Sequence, residues 1–125
     1  MEKISQLVAR LFIGQIFLLS GFFKITGYEG TQGYMEAMGV PGMLLPLVIL
    51  LEAGGGLAIV AGWQTRLVSI ALAVFTVAAA VIFHSNFSDQ MQMIMFMKNI
   101  AITGGLILLA VQGAGGYSFD SRRTQ

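Results

Sequence analysis

Four long runs of apolar residues, at about 4–25, 43–61, 67–83 and 91–111, constrain this chain more than any other feature of its sequence. At 1.5 Å per residue each is long enough to cross a hydrocarbon layer roughly 30 Å thick. Together they occupy most of the 125 residues, so little chain remains for a soluble domain. Composition agrees: 56% of residues are hydrophobic and 10% charged, whereas a soluble domain carries roughly a quarter charged residues. A chain this short would need a largely polar surface in water. The sequence therefore predicts an all-α fold: a membrane four-helix bundle forming one domain over residues 1–125.

The connections differ in character. Residues 27–42 are glycine-rich and end in Gly39-Val40-Pro41-Gly42. Within them, residues 31–38 suit a short interfacial helix capped by Thr31. Residues 62–66 form a tight turn with an interfacial tryptophan, Trp63, and a cation, Arg66. Residues 85–89 are polar and brief, and a polar tail closes the chain from Asp120.

The first span is expected to be retained, because Arg10 and Gln15 interrupt it and no A-x-A cleavage site follows. With four spans, both termini and the 62–66 turn share one side. That side carries Lys3, Arg66, Arg122 and Arg123, with Arg10 just inside the membrane. The positive-inside rule assigns both termini to the cytoplasm of a bacterial-type inner membrane.

Several chemistries are excluded early. The net charge of +1 gives no electrostatic footprint for nucleic acid. The absence of cysteine removes disulfides, thiol redox chemistry, Fe–S ligation and c-type haem attachment. The single histidine, His84, cannot build a zinc site or a bis-histidine haem, and no acidic cluster suggests Mg²⁺ or Ca²⁺, so no metal is expected.

Ionisable groups within a span cost at least about 2.5 kcal/mol on insertion scales and are functional candidates by default. Here they are Arg10, Lys24, Glu52, His84 and Lys98, with Asn99 and Gln15 as neutral companions. Arg10, Gly14, Phe17, Gly21 and Lys24 share one face of the first helix, and Glu52, Gly55, Gly56 and Ile59 one face of the second. Lys98 aligns with Ala101, Ile102 and Gly105 on the fourth. Small residues let neighbouring backbones approach, so these faces are expected to point inward. Counting from the outer ends puts Glu52 roughly 13 Å deep and Lys98 roughly 10 Å deep. An outward-opening pocket is thus expected, floored by a Glu52–Lys98 pair, rimmed by Lys24 and His84, and carrying spare positive charge.

Each residue also has a plainer reading. Lys24 can snorkel to headgroups, His84 can be a satisfied interfacial residue, and Arg10 can reach inner-leaflet phosphate. Glu52 and Lys98 can be a structural pair only. Seven methionines fall on the outer half, and with His84 their thioethers could ligate Cu(I). Flexible packing is their ordinary role.

Taken in order, these positions resemble the DoxX family over nearly the whole chain. The likeness runs through Arg10-Leu11-Phe12-Ile13-Gly14, Ser20-Gly21-Phe22-Phe23-Lys24, Gly39-Val40-Pro41, Glu52-Ala53-Gly54-Gly55-Gly56-Leu57, Gly62, Arg66, His84, Lys98-Asn99, Gly104-Gly105 and Ser118-Phe119-Asp120. The resemblance implies a four-helix membrane protein, in a family named for a subunit of an archaeal thiosulfate:quinone oxidoreductase. Arg10, Lys24, Glu52, His84, Lys98 and Asn99 match positions characteristic of that family.

Three functions follow for consideration. The first is an oxidoreductase component binding quinone or a small sulfur-containing substrate in the outer half of the bundle. It would have no intrinsic cofactor, and a partner subunit would bring the redox centre. The second is a non-catalytic small-anion carrier or a scaffold for a soluble partner. The third is Cu(I) handling. Membrane lipid and a second copy of the chain are the remaining expected partners.

Overall fold

The computed structural model describes residues 2–123; the side chains of Arg122 and Arg123, counted above among the basic groups, lie outside the described residues. The chain is mostly helical, with no strand among the described residues. Helix α1 is Glu2–Thr26, α2 is Tyr28–Ala37, α3 is Gly42–Ala61, α4 is Thr65–Phe83, α5 is Gln90–Gln112 and α6 is Phe119–Arg123. Helices α1, α3, α4 and α5 are long and apolar enough to cross a membrane.

Polarity is distributed for lipid rather than water. Phe12, Phe22, Leu47, Leu67, Val74 and Leu108 are exposed, while Arg10, Glu52, Ser69, Thr76 and Thr103 are buried. A water-soluble protein of this size could not carry so much apolar surface. In lipid, inward polar groups can find partners that hydrocarbon cannot offer: Arg10, Glu52, Thr76 and Thr103 have them, while the Ser69 hydroxyl has none among the described residues.

Helix α1 packs along α3, and α4 along α5; the last turns of α3 join the two pairs by packing on α4. Backbone contact holds the first pair. A Cβ on Gly56 would lie 2.7 Å from the Leu18 nitrogen and 2.9 Å from the Gly14 oxygen, and one on Gly21 would lie 2.8 Å from the Ala53 nitrogen. Only glycine permits that approach. The buried residues of α1 are Arg10, Gly14, Phe17 and Gly21, the face expected from their spacing. The core lies between the pairs, formed by Phe17, Ile59, Leu72, Ala73, Leu106 and Leu109.

Helix α3 is not uniform. It begins with a 3-10 turn at Gly42–Leu44, accepts Pro46 in the first turn that follows, and widens to a π-helix over Leu50–Gly54. Proline is tolerated at that position because its missing N–H would have had no helical partner. Single π turns inside α-helices recur at functional sites, and this one contains Glu52.

The short helix α2 begins three residues before the expected start. Gly27, not Thr31, stands at its N-terminus, and the Thr31 N–H donates to the Gly27 oxygen at 2.9 Å. The chain leaves α1 at Thr26 and re-enters helix almost at once, so Thr31 lies inside the first turn and cannot cap it.

The end of the bundle that holds the termini is tied by side chains. Gly62, at φ 74°, closes α3, with the Trp63 N–H donating to the Ala58 oxygen at 2.9 Å. The fully buried Arg10 donates to the Ile59 and Val60 oxygens at 3.2 and 2.9 Å, and to the Tyr117 oxygen. The Asp120 carboxylate accepts from the Gln64 and Thr65 N–H groups at 2.8 and 2.9 Å, capping α4 from a distant part of the chain.

Candidate functional site

Directly on the core, towards the α2 end, the helices enclose a cavity of about 430 Å³. Phe17 and Ile102 belong to both core and cavity wall. Helix α2 roofs it with Thr31, Tyr34 and Met35, one face at i, i+3 and i+4. The Tyr34 ring stacks on Phe83 of α4, with centroids 5.3 Å apart and planes at 23°, which ties the roof to the opposite helix pair.

The polar centre of this cavity is an ion pair. Lys24 Nζ lies 2.6 Å from Glu52 Oε1; the lysine side chain is 28% exposed and the glutamate 6%. Gly21, one turn before Lys24, lets α1 press against Ala53, so the two charged side chains are brought together by the backbone contact beside them. Across the cavity, His84 Nδ1 lies 3.1 Å from Gln92 Oε1. An amide oxygen only accepts, so this contact calls for a proton on Nδ1. Asn99 Nδ2 donates to the Thr76 oxygen at 3.4 Å, and Thr76 Oγ1 donates back along its own helix to the Leu72 oxygen at 2.6 Å.

Of the six residues singled out from the sequence, Lys24, Glu52, His84 and Asn99 line this cavity and Arg10 and Lys98 do not. The expected Glu52–Lys98 pair is incorrect: Lys24 is the partner of Glu52, and Lys98 is exposed on the outside of α5. The inward residue of α5 is Asn99, one position and about 100° further round the helix. Arg10 lies at the opposite end of the bundle, where three backbone oxygens hold it.

These placements also correct the expected charge. The fully charged side chains lining the cavity are Lys24 and Glu52, which neutralise each other, so the spare positive charge is absent. What remains is a neutral cavity with hydrogen-bonding groups at His84, Asn99, Tyr34, Thr31 and Ser20, set among aromatic Phe17, Phe75 and Phe83. Tyr34, Thr76, Phe75 and Phe83 were not anticipated. The i, i+3, i+4 face of α2 could have revealed Tyr34; the aromatic residues of α4 carry no pattern that separates cavity wall from lipid surface.

Among the described residues no group of three or more His, Asp or Glu side chains could hold a metal ion. Of the methionines, Met35 and Met95 line the cavity with His84, while Met91, Met93 and Met97 are exposed.

Fold and site together define a four-span membrane bundle with a largely apolar cavity that holds a buried ion pair. The chain belongs to the DoxX family, whose profile matches residues 5–85. It is 55% identical over 120 residues to "Inner membrane protein YqjF" of Escherichia coli (strain K12), covering 96% of this chain and 92% of that protein. Similarity extends to "Inner membrane protein YphA" of the same organism, at 36% over 123 residues, with 93% and 88% covered. It also reaches "Putative oxidoreductase CatD" of Bacillus subtilis (strain 168), at 26% over 112 residues, with 85% and 84% covered. No solved structure matches the chain. Four apolar spans and these relatives make it a multi-pass inner-membrane protein.

Proposed function

We propose that this protein is an oxidoreductase component that binds a quinone-sized ring, or a small sulfur-containing substrate of similar polarity, in the cavity beneath α2. The observation that carries the reading is the neutral, aromatic-walled cavity of about 430 Å³ with hydrogen-bonding groups at its edges. That volume lies within the roughly 300–1,000 Å³ typical of small-molecule sites. A ring carrying carbonyl oxygens matches such a wall: its faces lie against Phe17, Phe75 and Phe83, its oxygens accept from Asn99 or the Lys24 ammonium, and a hydroxyl of its reduced form donates to His84 Nε2. The name of the CatD relative supports redox work in general terms. The redox centre itself would come from a partner, since the chain has no cysteine and no metal cluster among its described residues. A small-anion carrier is less well supported, because the cavity's one embedded lysine is already neutralised. Both termini are assigned to the cytoplasm, which turns the cavity towards the outer half of the membrane; Lys3 and Arg66 on the termini side support this.

The test is thermal shift of the purified protein with a short-chain quinone analogue. Wild type is expected to show saturable stabilisation, since a ligand that binds only the folded state raises its stability. The shift should fall in His84→Ala and Asn99→Ala and persist in Lys98→Met, whose side chain lies outside the cavity. Absence of a shift in wild type at millimolar analogue would sink the reading and leave the scaffold role in front.

A further inference from the structure

Besides Arg10 and Lys98, a polar residue the cavity does not use is Gln15. It lies on the exposed side of α1, and among the described residues its one hydrogen bond runs from Nε2 to the Phe12 oxygen of its own helix at 3.2 Å. No described donor reaches its side-chain oxygen. Its depth makes this unusual. About 20 Å of helix separate Gln15 from the start of α1 and about 16 Å from its end, so it sits near the bilayer centre. An amide side chain reaches only about 5 Å, by the bond lengths that govern any short side chain, so it cannot snorkel to either surface as a lysine can. A primary amide facing hydrocarbon is a standing cost unless another molecule supplies its partners.

The surroundings of Gln15 indicate which molecule. Ile4, Val8, Leu11, Leu19 and Phe22 recur about it at spacings of three and four, and all are exposed. They form one straight stripe, turned well away from the buried Arg10–Gly14–Phe17–Gly21 face. A single polar residue in the middle of an apolar seam is the arrangement that fixes register between paired helices. A second copy of this chain has the same topology and therefore presents its own Gln15 at the same depth. A glutamine amide is both donor and acceptor, so two of them across a two-fold axis along the membrane normal satisfy each other reciprocally.

We infer that this protein forms a parallel homodimer through the outer face of α1, with Gln15 paired to Gln15 of the second copy at the membrane centre. Because the dimer is parallel and two-fold symmetric, each seam residue meets its own counterpart. The absence of cysteine makes the test direct. Single cysteines at Val8, Leu11 and Leu19, with Val74→Cys on α4 as the off-seam control, are oxidised in native membranes with copper phenanthroline. Disulfide-linked dimer is expected at the seam positions and not at Val74. Dimerisation followed by energy transfer in lipid vesicles should weaken roughly five- to thirty-fold in Gln15→Leu, the range given by about 1–2 kcal/mol of interhelical hydrogen bonding. Gln15 faces outward, so Gln15→Leu should keep the wild-type melting temperature as a monomer in detergent. Equal cross-linking at Val74, dimerisation indifferent to Gln15→Leu, or cross-links to a different protein at the seam would each overturn the inference.

Discussion

Lys24 and Glu52 meet at 2.6 Å because their helices run in opposite directions. Long side chains lean back towards the N-terminus of their own helix. On α1 that direction points Lys24 away from the nearby membrane surface and into the bundle. On the antiparallel α3 it points Glu52 towards Lys24. Lys98 on α5 leans the other way, to the surface. The outward face that Lys98 occupies on α5, rather than its depth, keeps it out of the pair.

The pair should behave asymmetrically when it is broken. Lys24→Met strands a carboxylate that is almost fully buried, and losing one partner of a buried pair costs about 3–5 kcal/mol. The lower end applies here, because Lys24 is partly exposed. Glu52→Gln leaves a lysine that can turn outward, so its loss should be smaller. The double variant should recover most of the Lys24→Met loss, giving a clear coupling energy in a double-mutant cycle read by thermal unfolding. The same cycle on Glu52 and Lys98 should be additive.

Close packing of α1 on α3 makes a second prediction. Gly56→Ala sets a methyl 2.7 Å from the Leu18 nitrogen, a backbone atom that cannot give way alone. Destabilisation of about 1–3 kcal/mol is expected from such overpacking. Gly30→Ala is the matched control, since nothing lies within 4 Å of the added methyl in α2. It should be neutral or stabilising by up to about 1 kcal/mol, through the lost freedom of the unfolded chain. Equal melting temperatures for the two variants would mean that the backbones are not in contact.

At the terminal end, Asp120→Ala removes the acceptor for two N–H groups at the start of α4. A lost helix cap costs about 0.5–2 kcal/mol. Asp120→Asn, which keeps one acceptor oxygen, should lose less. Neither change should alter the quinone-analogue shift of the remaining folded protein, because this end lies away from the cavity. A variant that abolished the shift while folding normally would tie the two ends together and contradict this division.

How far the sequence disclosed all this depended on contrast between helix faces. On α1 and α3 the glycines and charges fall on one stripe against large apolar residues elsewhere, so the buried faces could be read directly. Helix α5 is apolar around nearly its whole circumference, and Lys98 and Asn99 are adjacent, so spacing alone could not say which points inward. The roles of Arg10 and Asp120 were hidden for another reason. Each acts on backbone groups far along the chain, Arg10 on Ile59 and Val60 and Asp120 on Gln64 and Thr65, and backbone partners leave no mark in a sequence.

Orientation is the remaining expectation to test, and the structure decides how. Cysteine labelling in the 62–66 turn is the natural probe of the termini side, but Thr65 is 1% exposed and its N–H is held by Asp120. A thiol there would resist labelling from either side and imitate protection. Trp63, half exposed in the same turn, is the suitable site. Ser88, exposed between α4 and α5, reports the opposite face. With both termini in the cytoplasm, an impermeant maleimide added to intact cells should modify Ser88→Cys and leave Trp63→Cys unmodified until the membrane is opened. The reverse pattern would turn the protein over and give the cavity beneath α2 a cytoplasmic mouth, so that a ligand and any redox partner would have to be sought on that side.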